Sequence, residues 1–124
     1  MAMNSPASSA AVCLARAFKV RVFPGQEDAY ARYLREAVEP IDAIAHEAGV
    51  FAHMVAMCPE DACGDWTHAR VFFFTDATQR ERFTEAMAQA AARFDGTAAA
   101  AERRLALAAT LREKVGTSDY RVSG

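Results

Sequence analysis

A chain of 124 residues with 14 basic and 16 acidic side chains, a formal charge of -2 and 52% hydrophobic residues has the size of one domain and enough apolar surface to build its own core. Those values exclude a disordered or collagen-like chain, and the near-balance of charge argues against nucleic acid as a partner, because neutralising many phosphates needs a basic excess.

Cys13, Cys58 and Cys63 do not form the dense, even framework of a small secreted domain, so the expected compartment is the cytoplasm. The start of the chain has no basic region ahead of an apolar run and reads as a flexible tail over residues 1–13, followed by one domain over 14–124. No segment approaches the roughly 20 apolar residues of a membrane span.

From Leu14 to Phe23 the sequence alternates, with Phe18, Val20 and Val22 on one face and Lys19 and Arg21 on the other, as a half-buried strand requires. Pro24-Gly25 stops it. Apolar residues then recur at helical spacing from Tyr30 through Tyr33, Leu34, Ala37, Ile41 and Ala45, with Pro40 expected to kink or restart the helix and Gly49 to cap it. Val50 to Cys58 and Trp66 to Thr75 read as two hairpin strands around the polar loop 59–65. Asp76 with Gln79 forms a capping-box pattern ahead of a second helix, which Asp95-Gly96 closes. Thr97 starts an alanine-rich helix predicted to run to Val115 and end at Gly116, followed by a short last strand around Asp119 to Ser123.

The order strand, helix, strand, strand, helix, extra helix, strand predicts an α+β, ferredoxin-like βαββαβ arrangement with an antiparallel sheet. Helices would cover one sheet face, taken to be that of Val50, Ala52, Met54, Ala56, Ala69, Val71 and Phe73. The other face, with Phe51, Val55, Trp66, Phe72 and Phe74, is too apolar to stay open and points to a homodimer.

Three stretches carry a family resemblance: Phe18-Lys-Val-Arg-Val-Phe-Pro-Gly25 leading into a charged helix start, His46-Glu-Ala-Gly-Val-Phe51, and Val71-Phe-Phe-Phe-Thr-Asp-Ala77 leading into Arg80-Glu-Arg-Phe83. Over Phe18 to Phe94 the chain resembles the dimeric α/β-barrel superfamily and, within it, the antibiotic-biosynthesis-monooxygenase-like domains. That resemblance implies a homodimer whose two sheets form a barrel, with a ligand pocket between sheet and helices or inside the barrel. It implies activities from cofactor-independent, quinone-forming oxygenation through haem degradation to no catalysis. The haem-degrading branch uses a His on the second main helix, which this sequence lacks, and a Trp near the end of the third strand, whereas Trp66 stands at its beginning. No bound cofactor is therefore expected.

The hairpin supplies the candidate site. A turn symmetrical about Glu60 and Asp61 sets His53 opposite His68, where cross-strand Cβ atoms lie about 5 Å apart. Alternation then adds Arg70, Trp66 and Phe72 to the same barrel-facing surface, with Lys19 and Arg21 as neighbours. As chemistry, His53 or His68 would act as general base, Arg70 would fix the charge of an anionic or enolisable aromatic molecule, and Trp66, Phe72, Lys19 and Arg21 would hold it. The plainer reading makes the two histidines partly exposed strand residues and Lys19 and Arg21 a solvated or inter-subunit ion-pair face. A His/Cys zinc set is disfavoured, because about 16 Å of extended strand and a change of face separate each His from its nearest Cys. Glycine-rich phosphate loops, G-x-S-x-G elbows and H-E-x-x-H motifs are absent from the sequence. Two functions remain open: a cofactor-independent monooxygenase-like enzyme acting on a small aromatic or polyketide-like molecule, or a non-catalytic ligand-binding or stress-responsive dimeric barrel.

Overall fold

The computed structural model describes residues 12–61 and 64–123; the expected tail up to residue 11, and Cys63, lie outside them. The alternating segment forms β1 (Leu14–Val22), and the helical stripe after Pro24-Gly25 forms α1 (Glu27–Tyr33), a π-helical turn (Leu34–Val38) and α2 (Glu39–Glu47). Pro40 lies in the first turn of α2, so the restart expected there takes the form of a wider turn: the Glu39 N–H donates to the Leu34 carbonyl, five residues back. Proline has no N–H to continue the normal ladder, and the π turn lets the helix proceed without it. The Gly49 N–H bonds the His46 carbonyl and the Val50 N–H that of Ala45, closing α2 with glycine at φ 79°.

β2 (His53–Met57) and β3 (His68–Phe74) follow, then α3 (Ala77–Asp95), α4 (Ala98–Leu111) and β4 (Arg112–Arg121). The Asp76 side chain accepts the Gln79 N–H at 2.8 Å, and Gln79 Oε1 accepts the N–H of Thr75, one residue before the cap, so the capping pattern forms with its return bond shifted by one residue. The sheet order is β2-β3-β1-β4 with every neighbouring pair antiparallel, which is the ferredoxin-like topology.

The last helix is shorter and the last strand longer than predicted. Residues 112–115 fit a helical stripe but instead belong to β4, where Arg112, Glu113 and Lys114 pair with Val22, Arg21 and Val20 and Val115 is the extra residue at the register shift. Gly116 does not cap the helix: it sits opposite Lys19 beside the register shift at Lys19/Val20, a bulge position suited to a residue without a side chain.

The hairpin register also differs. His53 stands opposite Phe73, five positions away from His68, and Met57 stands opposite Ala69. The connection is not symmetrical about Glu60 and Asp61, because Trp66 and Thr67 stay outside β3, where the Thr67 N–H and hydroxyl close the strand end against Val20 and Val22. Since side chains alternate along a strand, an odd slip leaves the faces of His53–Met57 as predicted and inverts those of β3, while Phe51, expected on the open face, precedes β2 and packs under the helices against Phe72. Phe72 and Phe74 are accordingly the most enclosed large side chains, packed with Phe51, Ile41, Ala45, Phe83 and Ala90 beneath α2 and α3. Ala15, Ala17, Val71 and Phe73 occupy the opposite face. Burying the rings of Phe72 and Phe74 removes more apolar area from water than burying Phe73 with Ala69 and Val71 would, which explains the direction of the inversion. A second cluster joins Val22, Tyr30 and Tyr33 to Ala108 and Leu111 and holds α4 against α1.

Candidate functional site

The inverted register divides the predicted site between two faces. His53 is exposed on the uncovered face beside Phe73, at 6.0 Å between ring centroids. Lys19 and Arg21 share that face: Lys19 Nζ stands 5.7 Å from the Trp66 ring, while Arg21 pairs with Glu113 and donates to the Asp65 carbonyl. His68, Arg70 and Phe72 point to the helices instead, since they pair with Val20, Phe18 and Arg16 on that side of β1. The structure brings His68 and Arg70 together and separates both from His53, because residues opposite or two apart share a face whereas His53 pairs with the outward-facing Phe73.

On the helix side, His68 and Arg70 meet two residues that the motif reading gave no chemical role. Arg70 donates through Nη2 to Asp42 Oδ2, and its guanidinium lies 4.9 Å from the centre of the Phe72 ring. Tyr30 packs edge-on against the His68 imidazole with centroids 5.1 Å apart. Tyr30 is placed in the core as its helical spacing predicted. Asp42 also had a signal: it is an acidic residue spaced four after Val38 and three before Ala45, on the margin of the buried stripe.

Burial and charge set the protonation of this group. Asp42 is 8% exposed, and burial raises its pKa while the Arg70 hydrogen bond and charge oppose the rise. Burial lowers the His68 pKa from its ordinary value, against a smaller opposing pull from the Glu27 carboxylate. The Tyr30 phenol is raised, mainly by burial, with the Arg70 and Arg112 charges acting the other way. Thr67 contacts the His68 ring: its Oγ1 accepts the Val22 N–H at 2.8 Å, lies 2.8 Å from His68 Nδ1 and lies 3.4 Å from the Val20 carbonyl. The hydroxyl can donate to an unprotonated Nδ1, or accept from a protonated Nδ1 while donating to the Val20 carbonyl. His68 can thus hold or release a proton without losing its hydrogen bond.

Two surface cavities lie elsewhere. One of about 310 Å³ sits between α1, the end of α3 and α4, with Tyr33, Asp95 and Arg104 at its polar side and Phe94 and Leu107 at its apolar side. The other, about 350 Å³, lies where α2 ends and α3 begins, beside Gly49, Asp76, Gln79 and Arg82. Neither borders His68 or Arg70.

An antiparallel sheet with two-layer packing and a polar group between sheet and helices defines a ferredoxin-like α+β protein. Among solved structures the chain is similar to a dabb family protein with a ferredoxin-like fold from Mesorhizobium loti, at TM-score 0.60 and 14% identity over 91% of this chain and 99% of that one. It is also similar to HapK from Hahella chejuensis, at TM-score 0.56 and 17% identity over 90% and 93% of the two chains. A dimeric ferredoxin-like protein from an uncultured marine organism matches at TM-score 0.55 and 11% identity over 91% and 90%. No family model matches the chain and no curated protein matches it.

Proposed function

We propose that this chain works as a homodimeric barrel protein that binds a small aromatic molecule between its sheet and helices, with His68 as the proton-transferring group. The observation that carries this reading is the group Tyr30, Asp42, His68 and Arg70, set among Phe18, Phe72 and Phe83 on the helix side of the sheet. Titratable groups with opposed shifts in an aromatic surround are a common arrangement for holding a substrate and moving its proton. Dimer formation through the other face is supported by Val55, Met57 and Tyr120, large apolar side chains left 36%, 46% and 49% exposed. The marine relative is itself described as dimeric.

In its catalytic form the reading is cofactor-independent oxygenation, with His68 taking a proton from an enolisable aromatic that then reacts with dioxygen. Oxygen uptake with a panel of hydroxylated aromatics tests it: turnover should fall at least about a hundredfold in His68→Ala. Turnover unchanged in folded His68→Ala and Arg70→Ala would remove the catalytic assignment. The non-catalytic alternative draws support from the position of both cavities away from this group, and it predicts a ligand that binds without being converted.

A further inference from the structure

Cys58 has no part in the group described above, yet the sheet register carries it to the edge of that group. Met57 stands opposite Ala69, so the next position of the hairpin sets Cys58 across from His68. Directly opposed residues of antiparallel strands have Cβ atoms about 5 Å apart. Alternation from Met57, on the uncovered face, turns Cys58 to the helix side. Tyr30 agrees with that placement from another element: this residue of α1 packs edge-on against His68, and the Cys58 thiolate is near enough to raise its phenol. Cys58 is exposed, so a reagent reaches the thiol with the helices where they are, on the side of the sheet away from the face proposed for the dimer.

A nucleophile, a base and a group that orients the base are the parts of an activated thiol. His68 has the properties of the base, since burial keeps its ring neutral near pH 7 and the Glu27 carboxylate favours the imidazolium formed when the ring takes a proton. Thr67 has those of the orienting group. With Nδ1 protonated, its Oγ1 accepts from Nδ1 and from the Val22 N–H and donates to the Val20 carbonyl, which uses the full capacity of a hydroxyl and leaves the free lone pair of the ring on Nε2.

We propose that Cys58 and His68 form a nucleophilic pair that adds to activated alkenes of the α,β-unsaturated carbonyl class. His68 Nε2 takes the thiol proton as the sulfur bonds the β-carbon; the alkene π pair moves to the α-carbon, and His68 returns the proton there. One S–C bond and one C–H bond replace the S–H bond and the alkene π bond, and the product is a thioether at Cys58. The addition has no leaving group and consumes no oxidant or reductant, so the pair and the alkene are the complete set of reactants. It also needs no ligand between sheet and helices and goes beyond the aromatic-binding reading.

Labelling of the full, reduced chain with acrylamide at pH 7, read at each cysteine by peptide mass spectrometry, tests the pair. Cys58 should react about a hundredfold faster in the native chain than in the urea-unfolded chain, the lower range of what a positioned base supplies. His68→Ala should remove that gain and free imidazole should restore part of it, while Cys13, whose thiol donates to the Thr75 carbonyl, keeps its native rate throughout. A native Cys58 no faster than the unfolded one would overturn the proposal, whether or not the variant folds. A Cys58 rate unchanged in folded His68→Ala, or a loss that imidazole leaves unrepaired, would overturn the role of His68 as base and with it the pair. None of these outcomes decides the aromatic-binding reading, which stands or falls by oxygen uptake and ligand binding.

Discussion

The Arg70–Asp42 pair concentrates the energetic risk of the molecule in two side chains, with Asp42 nearly enclosed and Arg70 partly so. Removing Arg70 leaves a buried carboxylate without its cation, so Arg70→Met should destabilise the fold by about 3 kcal/mol at pH 7. The loss should shrink in acid, because Asp42 can then protonate, and most of it should be recovered in the double variant Asp42→Leu/Arg70→Met; urea denaturation at two pH values checks both. His68 gives a second pH signature. Its pKa is lower folded than unfolded, so the unfolded chain binds the proton more readily. The contribution of His68 is complete above the ordinary value of 6.5 and is lost as pH falls through the lower folded value. His68→Gln should therefore flatten the fall in unfolding free energy on acidification below pH 6.5, and an imidazole NMR titration of the native chain should show a midpoint below 6.5. A midpoint at or above 6.5 would contradict the burial of this ring.

At the level of elements, local chemistry was legible wherever it decides the structure alone. The capping pair Asp76 and Gln79 marked the start of α3, Gly49 marked the end of α2, and Pro40 marked the break between α1 and α2. Asp76→Ala should cost about 1 kcal/mol, and Gly49→Ala a similar amount because it forces an L side chain into left-handed backbone; thermal melts read both. What the sequence could not reveal was pairing. Residues 112–115 carry an acceptable helical period, and only the open edge of β1 draws them into β4. His53 and His68 have spacing compatible with a symmetrical hairpin, and only packing of Phe72 and Phe74 under the helices fixes the register that separates them. The candidate site was thus half visible. His68 and Arg70 could be named from the chain, while their company, Tyr30 and Asp42 rather than His53, depends on which face of β3 turns inward.

For the whole molecule, the two sheet faces have different work. The helix-facing side carries the aromatic core and the polar group, and the uncovered side carries small residues flanked by Val55, Met57, Phe73 and Tyr120. Light scattering should give the mass of two chains at micromolar concentration, and Val55→Glu with Met57→Glu should give one, since charges facing one another across an apolar interface are poorly tolerated. A native chain that is monomeric under these conditions would contradict the barrel. Among the described residues no helix is long and apolar enough to cross a membrane. Amide chemical-shift mapping with 2-naphthol distinguishes a small-molecule site facing the helices from one on the open face. Perturbations centred on Tyr30, Asp42, His68 and Arg70 are expected. Perturbations confined to His53, Lys19 and Arg21, or to the groove beside Arg104, would contradict the helix-facing site.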